Sequence, residues 1–124
     1  MANNFFDLSG KVVIVTGTSR GLGQYMGRAL AKAGADLVIT SRNADSLHDF
    51  KKELEDLGRK VLPLELDVRD YDSIQNMAQA AVKHYKKIDI LVNNAGCNIR
   101  KPSMEITWDD WDTVVDTNLK GTFF

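Results

Sequence analysis

Short β-branched runs alternate along this chain with longer amphipathic stretches. Lys11–Thr16 (KVVIVT) is continuously apolar through its middle, as expected of a strand buried on both faces, and Gly17 punctuates it. From Gly21 to Ala33 the apolar residues Leu22, Met26, Ala29, Leu30 and Ala33 recur at helical spacing, and Gly34 supplies a stop. Asp36–Ser41 (DLVITS) predicts a second strand. Leu47, Phe50, Leu54 and Leu57 predict a second helix closed by Gly58. Lys60–Leu66 reads as a third strand. A third helix follows from about Tyr71 to Tyr85, with Ile74, Met77, Ala78, Ala81, Val82 and Tyr85 on one side, and Ile88–Val92 is a fourth strand. Thr107 is placed to cap a last helix, in which Asp109 and Asp110 suit the positive end of the dipole. Its apolar stripe is Trp108, Trp111, Val114, Val115 and Leu119.

Strands alternating with helices imply right-handed βαβ units and an α/β fold of the doubly wound, Rossmann type, with a parallel sheet covered on both faces. Composition narrows the partners. The 124 residues are 44% hydrophobic and 27% charged, enough for one core, and no linker or repeat divides them, so residues 1–124 are expected to form a single domain. The formal net charge is −1 with both signs interspersed, which disfavours nucleic acid and membrane surfaces. Met1–Lys11 lacks the pattern of a secretory leader and no apolar stretch reaches about 18 residues, so the expected location is cytoplasmic. Cys97 is the only cysteine, and His48 and His84 lie far apart on segments that read as solvated helix faces, so no metal site is expected.

Between the first strand and the first helix stands Thr16-Gly17-Thr18-Ser19-Arg20-Gly21-Leu22-Gly23. A glycine at a strand end permits a sharp turn. Glycines at a helix start let backbone approach a ligand closely, so that free amides and the helix dipole face a pyrophosphate. A ligand-free glycine turn is the plain alternative, but this one opens a βαβ unit, the context the motif requires. A nucleoside triphosphate is disfavoured because no Gly-Lys-Ser/Thr follows, whereas a dinucleotide fits. At the end of the second strand an acidic residue would accept from the ribose hydroxyls of NAD. This chain has Thr40-Ser41-Arg42 instead. Arg42 is suited to a 2′-phosphate, with Arg20 reaching the same corner, so NADP is favoured over NAD. Arg42 also reads as a solvated residue ahead of a helix.

The Gly-x-x-x-Gly-x-Gly spacing of Gly17, Gly21 and Gly23 resembles the signature of the short-chain dehydrogenase/reductase family, and three further matches follow in order. Asp67-Val68 is similar to the family's adenine contact. Asn93-Asn94-Ala95-Gly96 is similar to its cofactor-lining motif, and Asn118-Leu119-Lys120-Gly121 to the segment supplying its catalytic asparagine. Singly, each has another reading: a helix cap at Asp67, a turn at Asn93–Gly96, a polar helix face at Asn118. The resemblance implies Gly17, Ser19, Arg20, Gly21, Leu22, Gly23, Ser41, Arg42, Asp67, Val68, Asn94, Ala95 and Gly96 as cofactor-binding residues and Asn118 as catalytic. It also implies a sheet of about four strands in the order 3-2-1-4, truncated relative to the family.

The resemblance implies hydride transfer between a nicotinamide and an alcohol or ketone, with a tyrosine as acid/base and a lysine four residues later lowering its pKa. Tyr25, Tyr71 and Tyr85 are followed at that distance by Ala29, Gln75 and Asp89, so the pair is absent and this chain alone is expected to be inactive. Ser103 stands too early to be the family's serine. The loop Cys97–Pro102 and Glu105–Trp108 resemble the gluconate and deoxygluconate dehydrogenase branch. Arg100 is placed to meet a sugar-acid carboxylate, and equally reads as one of two basic residues in a surface loop. Acyl-thioester reductases share the overall pattern. Cys97 reads as a small loop filler. A fourth strand left at the edge and a half-covered apolar stripe on the last helix predict a homo-oligomer, aggregation or marginal stability. A non-catalytic nucleotide-binding or self-associating module remains the second reading.

Overall fold

The computed structural model describes residues 4–124; residues 1–3, which begin the segment expected to lack a leader, lie outside the described residues. Four strands form one sheet: β1 (Val12–Val15), β2 (Asp36–Ser41), β3 (Val61–Glu65) and β4 (Ile90–Val92). Their order is β3-β2-β1-β4 and every pairing is parallel, with Val13 opposite Leu37 and Ile90, and Leu37 opposite Val61. The helices α1 (Leu22–Lys32), α2 (His48–Asp56) and α3 (Tyr71–Tyr85) connect these strands, and α4 (Trp108–Val115) follows β4. This is the expected doubly wound layout.

The pleat explains how β1 and β2 are buried on both faces. Val13, Val15, Leu37 and Ile39 pack with Ala31, Leu47, Phe50 and Leu54 on the side of α1 and α2. Ile14 and Val38 point the other way and pack with Ile74, Met77 and Ala81 of α3. Tyr85 ends that second layer with its hydroxyl donating to the Leu37 carbonyl at 3.1 Å, and burial pushes its phenol up to about 12.

Two expectations are corrected. The buried face of α1 is Gly23, Gly27 and Ala31, while Leu22 is exposed. A Cβ on Gly27 would lie 2.8 Å from Phe50 Cζ, so the helix approaches the neighbouring layer at a distance only glycine allows. The fourth strand is also shorter than the predicted Ile88–Val92. Asp89 leaves the regular ladder: its carboxylate accepts from Val12 N at 2.8 Å, and that bond, with Lys87 beside it, holds the carboxyl below its usual range.

At α4 the cap is as expected and more complete. Thr107 Oγ1 accepts from Asp110 N at 3.1 Å and the Asp110 carboxylate accepts from Thr107 N at 2.9 Å, a reciprocal capping box. Lys101 Nζ donates to the same carboxylate at 2.7 Å and, with Thr107, brings its pKa down to about 2. The predicted stripe is largely uncovered, with Trp108 83% and Trp111 65% exposed. Beyond α4 the chain forms a π-helical turn over Asp116–Lys120 and a last turn at Gly121–Phe123.

Candidate functional site

All four strands end, in the carboxyl direction, around one cavity of about 400 Å³. A crevice at this end of an open parallel sheet is where α/β folds bind ligands. The turn after β1 contributes Gly17, Ser19, Arg20 and Gly21, and the end of β2 contributes Ser41 and Arg42. Leu66, Asp67, Val68 and Arg69 enter after β3, and Asn94, Ala95, Gly96 and Cys97 after β4.

Backbone sterics shape the glycine turn. Gly17 has φ 70°, and a Cβ there would lie 2.9 Å from the Ala95 Cα, so the turn and the segment after β4 are in contact. A Cβ on Gly23 would lie 2.3 Å from the Gly17 carbonyl oxygen. Gly23 therefore stands behind the cavity wall and lets α1 start directly beneath the turn. Gly21, with φ 63°, has open space where a side chain would be; it precedes α1 with no side-chain cap and no acid in the first turn. That leaves the positive end of the helix facing the cavity.

Hydrogen bonds lock the strand ends together. The buried Thr16 hydroxyl accepts from Asn94 N at 3.0 Å and Ala95 N at 2.9 Å, while Asn94 Nδ2 donates to the Thr16 and Gly17 carbonyls, both at 2.9 Å. Thr18 Oγ1 donates to the Thr40 carbonyl at 3.1 Å, tying the turn to β2. These bonds join the glycine turn, the end of β2 and the segment after β4 into one wall.

At the β2 end Ser41 is buried and its hydroxyl engages the main chain of Asn43, so it orders the following turn as well as lining the cavity. Arg20 and Arg42 are exposed. Asp67 Oδ1 accepts from Arg69 N at 2.9 Å, and the cap of α3 is Asp70, which accepts from Asp72 N and Ser73 N. Val68 packs on the last turn, where a Cβ on Gly121 would meet its carbonyl oxygen at 2.5 Å.

Asn118 lies outside the cavity lining. Its Oδ1 accepts from Cys97 N at 2.8 Å and its Nδ2 donates to the Cys97 carbonyl at 2.8 Å, so the side-chain amide pairs with both backbone groups of one residue, as a neighbouring strand would. This fixes the loop after β4 against the π-helical turn. Leu22 is also outside the lining, Arg100 is exposed in its loop, and Ser103 is exposed in the short turn Ser103–Glu105. His48 and His84 are exposed on α2 and α3. Among the described residues no helix is long and apolar enough to cross a membrane.

The family model described as short chain dehydrogenase matches residues 11–124. This chain belongs to the short-chain dehydrogenase family. It is 39% identical over 121 residues to gluconate 5-dehydrogenase of Gluconobacter oxydans, covering 98% of this chain and 47% of that one. It is 42% identical over 119 residues to 2-dehydro-3-deoxy-D-gluconate 5-dehydrogenase of Escherichia coli, covering 96% and 46%. A solved short-chain type dehydrogenase/reductase from Mycobacterium marinum superposes with TM-score 0.92 at 34% identity, over 95% of this chain and 46% of that chain. The chain spans about half the length of the curated relatives it matches.

Five residues that line the cavity carry no assignment to it from the sequence: Leu66, Arg69, Cys97, Thr113 and Thr117. Thr113 stands in α4 and Thr117 in the π-helical turn after it, and Thr117 Oγ1 donates to the Thr113 carbonyl at 2.7 Å. A pair of polar residues at that spacing on the side opposite the apolar stripe was the available signal. Leu66, Arg69 and Cys97 each adjoin a motif and carry no signal of their own.

Proposed function

We propose that residues 1–124 form the dinucleotide-binding domain of a cytoplasmic, NADP(H)-dependent oxidoreductase that acts on an alcohol/ketone pair, with a sugar acid or polyol as the substrate class. The observation that carries the cofactor assignment is the polarity of the cavity at the β2 end, where Ser41 and Arg42 stand in place of a carboxylate and Arg20 joins them. A carboxylate there would accept from a ribose diol; arginines instead donate to a phosphate monoester. The glycine turn fits a pyrophosphate, because Gly21 leaves space and an uncapped helix end at the same point.

The bound nicotinamide supplies hydride transfer. The chain's own residues bind and position. Gly17, Ser19, Gly21, Leu22 and Gly23 form or support the diphosphate cradle, Asp67 and Val68 border the base, and Asn94, Ala95 and Gly96 form the wall toward the reacting ring. Asn118, the residue proposed for catalysis, acts in this chain as a positioning residue by holding the Cys97 peptide. No Tyr-x-x-x-Lys occurs in the sequence, so the proposal includes that these 124 residues alone do not turn over substrate. Support for the substrate class comes from the names of the two gluconate-type relatives. The uncovered Trp108, Trp111 and Leu91 support self-association, for which a monomeric mass by sedimentation equilibrium at every concentration tested would be contrary evidence.

Calorimetric titration with NADPH and with NADH tests the cofactor reading. NADPH is expected to bind more tightly, and Arg42→Ala to weaken NADPH by roughly tenfold while sparing NADH. Equal affinity for the two in the unaltered chain would refute the phosphate assignment.

A further inference from the structure

We propose that Arg69 is a third anion-binding arginine of this cavity and helps to set its preference for a dinucleotide carrying an additional phosphate monoester on its adenosine ribose. The inference rests on the NADP reading above and extends it to a residue outside every family motif.

Four observations carry it. Arg69 lines the same cavity as Arg20 and Arg42, and the cavity's lining holds three arginines against a single carboxylate, Asp67, in a chain of formal net charge −1. Its backbone is fixed: Arg69 N donates to Asp67 Oδ1 at 2.9 Å, Asp70 N to the Asp67 carbonyl at 3.0 Å, and Asp67 N to Ser73 Oγ at 2.9 Å. Its sequence neighbours do not neutralise it. Asp67 and Asp70 each direct a carboxylate oxygen to backbone amides, and among the described residues no ion pair involves Arg20, Arg42 or Arg69. Finally, the three arginines follow three adjacent strands of one parallel sheet, β1, β2 and β3. Arg42 follows the middle strand of the three, and the loops that carry Arg20 and Arg69 follow the strands on either side of it.

A phosphate monoester carries about −1.5 to −2 charges near neutrality and has three acceptor oxygens, more than one arginine satisfies. Placed at Arg42, it stands at the strand between those that lead to Arg20 and Arg69, in the cavity that all three line. A dinucleotide without that phosphate leaves Arg69 in water. Arg69 therefore contributes to one ligand and not to the other.

The test is calorimetric titration of the 124-residue chain and its Arg69→Ala, Arg69→Lys and Arg42→Ala variants with NADPH, NADH and adenosine 2′,5′-bisphosphate. Arg69→Ala is expected to weaken NADPH and the bisphosphate by roughly tenfold and to leave NADH within about twofold, with Arg69→Lys recovering part of the loss. Equal weakening of NADPH and NADH, or no weakening of NADPH while Arg42→Ala still weakens it, overturns the role of Arg69 and leaves the NADP reading standing. An unaltered chain that binds NADPH no better than NADH, or binds neither, overturns both. Because Arg69 is exposed, unchanged melting of the variants separates these outcomes from loss of fold.

Discussion

β2 and β4 flank β1 on opposite sides, and their surroundings differ. β2 has six residues, with Leu37, Val38 and Ile39 fully buried between helical layers and β3 beyond. β4 has three, with Leu91 53% exposed and no strand beyond it among the described residues. The two sheet edges differ as well. β3 carries Pro63, which removes a backbone donor, and Glu65; β4 is Ile-Leu-Val throughout. The arginine-lined corner of the cavity therefore stands on the finished side of the sheet, and the corner held by Asn94 and Asn118 stands on the apolar, open side. The proposed phosphate site and the Asn94–Asn118 corner rest on parts of the fold with different support.

Substitutions on the two sides of the sheet test this contrast. The largest effect is expected at the pivot between the corners: Gly23→Ala sets a methyl 2.3 Å from the Gly17 carbonyl oxygen, and a loss of about 3 kcal/mol in urea unfolding should follow, with dinucleotide binding abolished. On the β2 side, Leu54→Ala removes a fully buried side chain and should cost roughly 3 kcal/mol. On the β4 side, Leu91→Lys should change stability by less than about 0.5 kcal/mol while shifting sedimentation toward smaller species, because a charge on an edge strand opposes strand addition. Comparable destabilisation by the two substitutions would erase the contrast.

A smaller, pH-dependent effect is expected at Asp110. Its folded pKa, about 2, lies below the ordinary 3.8, so its contribution is complete above the ordinary value and disappears as pH falls through the folded one. Asp110→Asn should lower the melting temperature slightly at neutral pH, and the difference should vanish near pH 2. A difference that persists there would show that the substitution acts through something other than the carboxylate's ionisation.

Much of the fold is readable from the sequence because strands buried on both faces leave an unmistakable apolar run, as at Val12–Val15, and because Gly34 and Gly58 sit where helices must stop. The misreading of α1 has a physical cause. Hydrophobic periodicity weighs side chains, whereas Gly23 and Gly27 are buried for having none. Most of the residues expected at the cofactor site do meet at one cavity, since their motifs follow successive parallel strands. Arg69 and the Asn118 clamp were not legible, because each acquires its role from tertiary neighbours. Asn118 pairs with the backbone of a residue 21 positions away, and Arg69 is distinguished by the cavity it lines and by the carboxylates that do not pair with it.

The central claim, that the cavity at the strand ends holds NADP(H), is tested most directly by titrating NADPH into the ¹⁵N-labelled chain and following its amide resonances. The largest shifts are expected at Gly17, Gly21, Arg42 and Val68, with little change at the opposite ends of the strands near Gly34 and Arg59. Shifts concentrated near Gly34 and Arg59, or none at saturating NADPH, would contradict it.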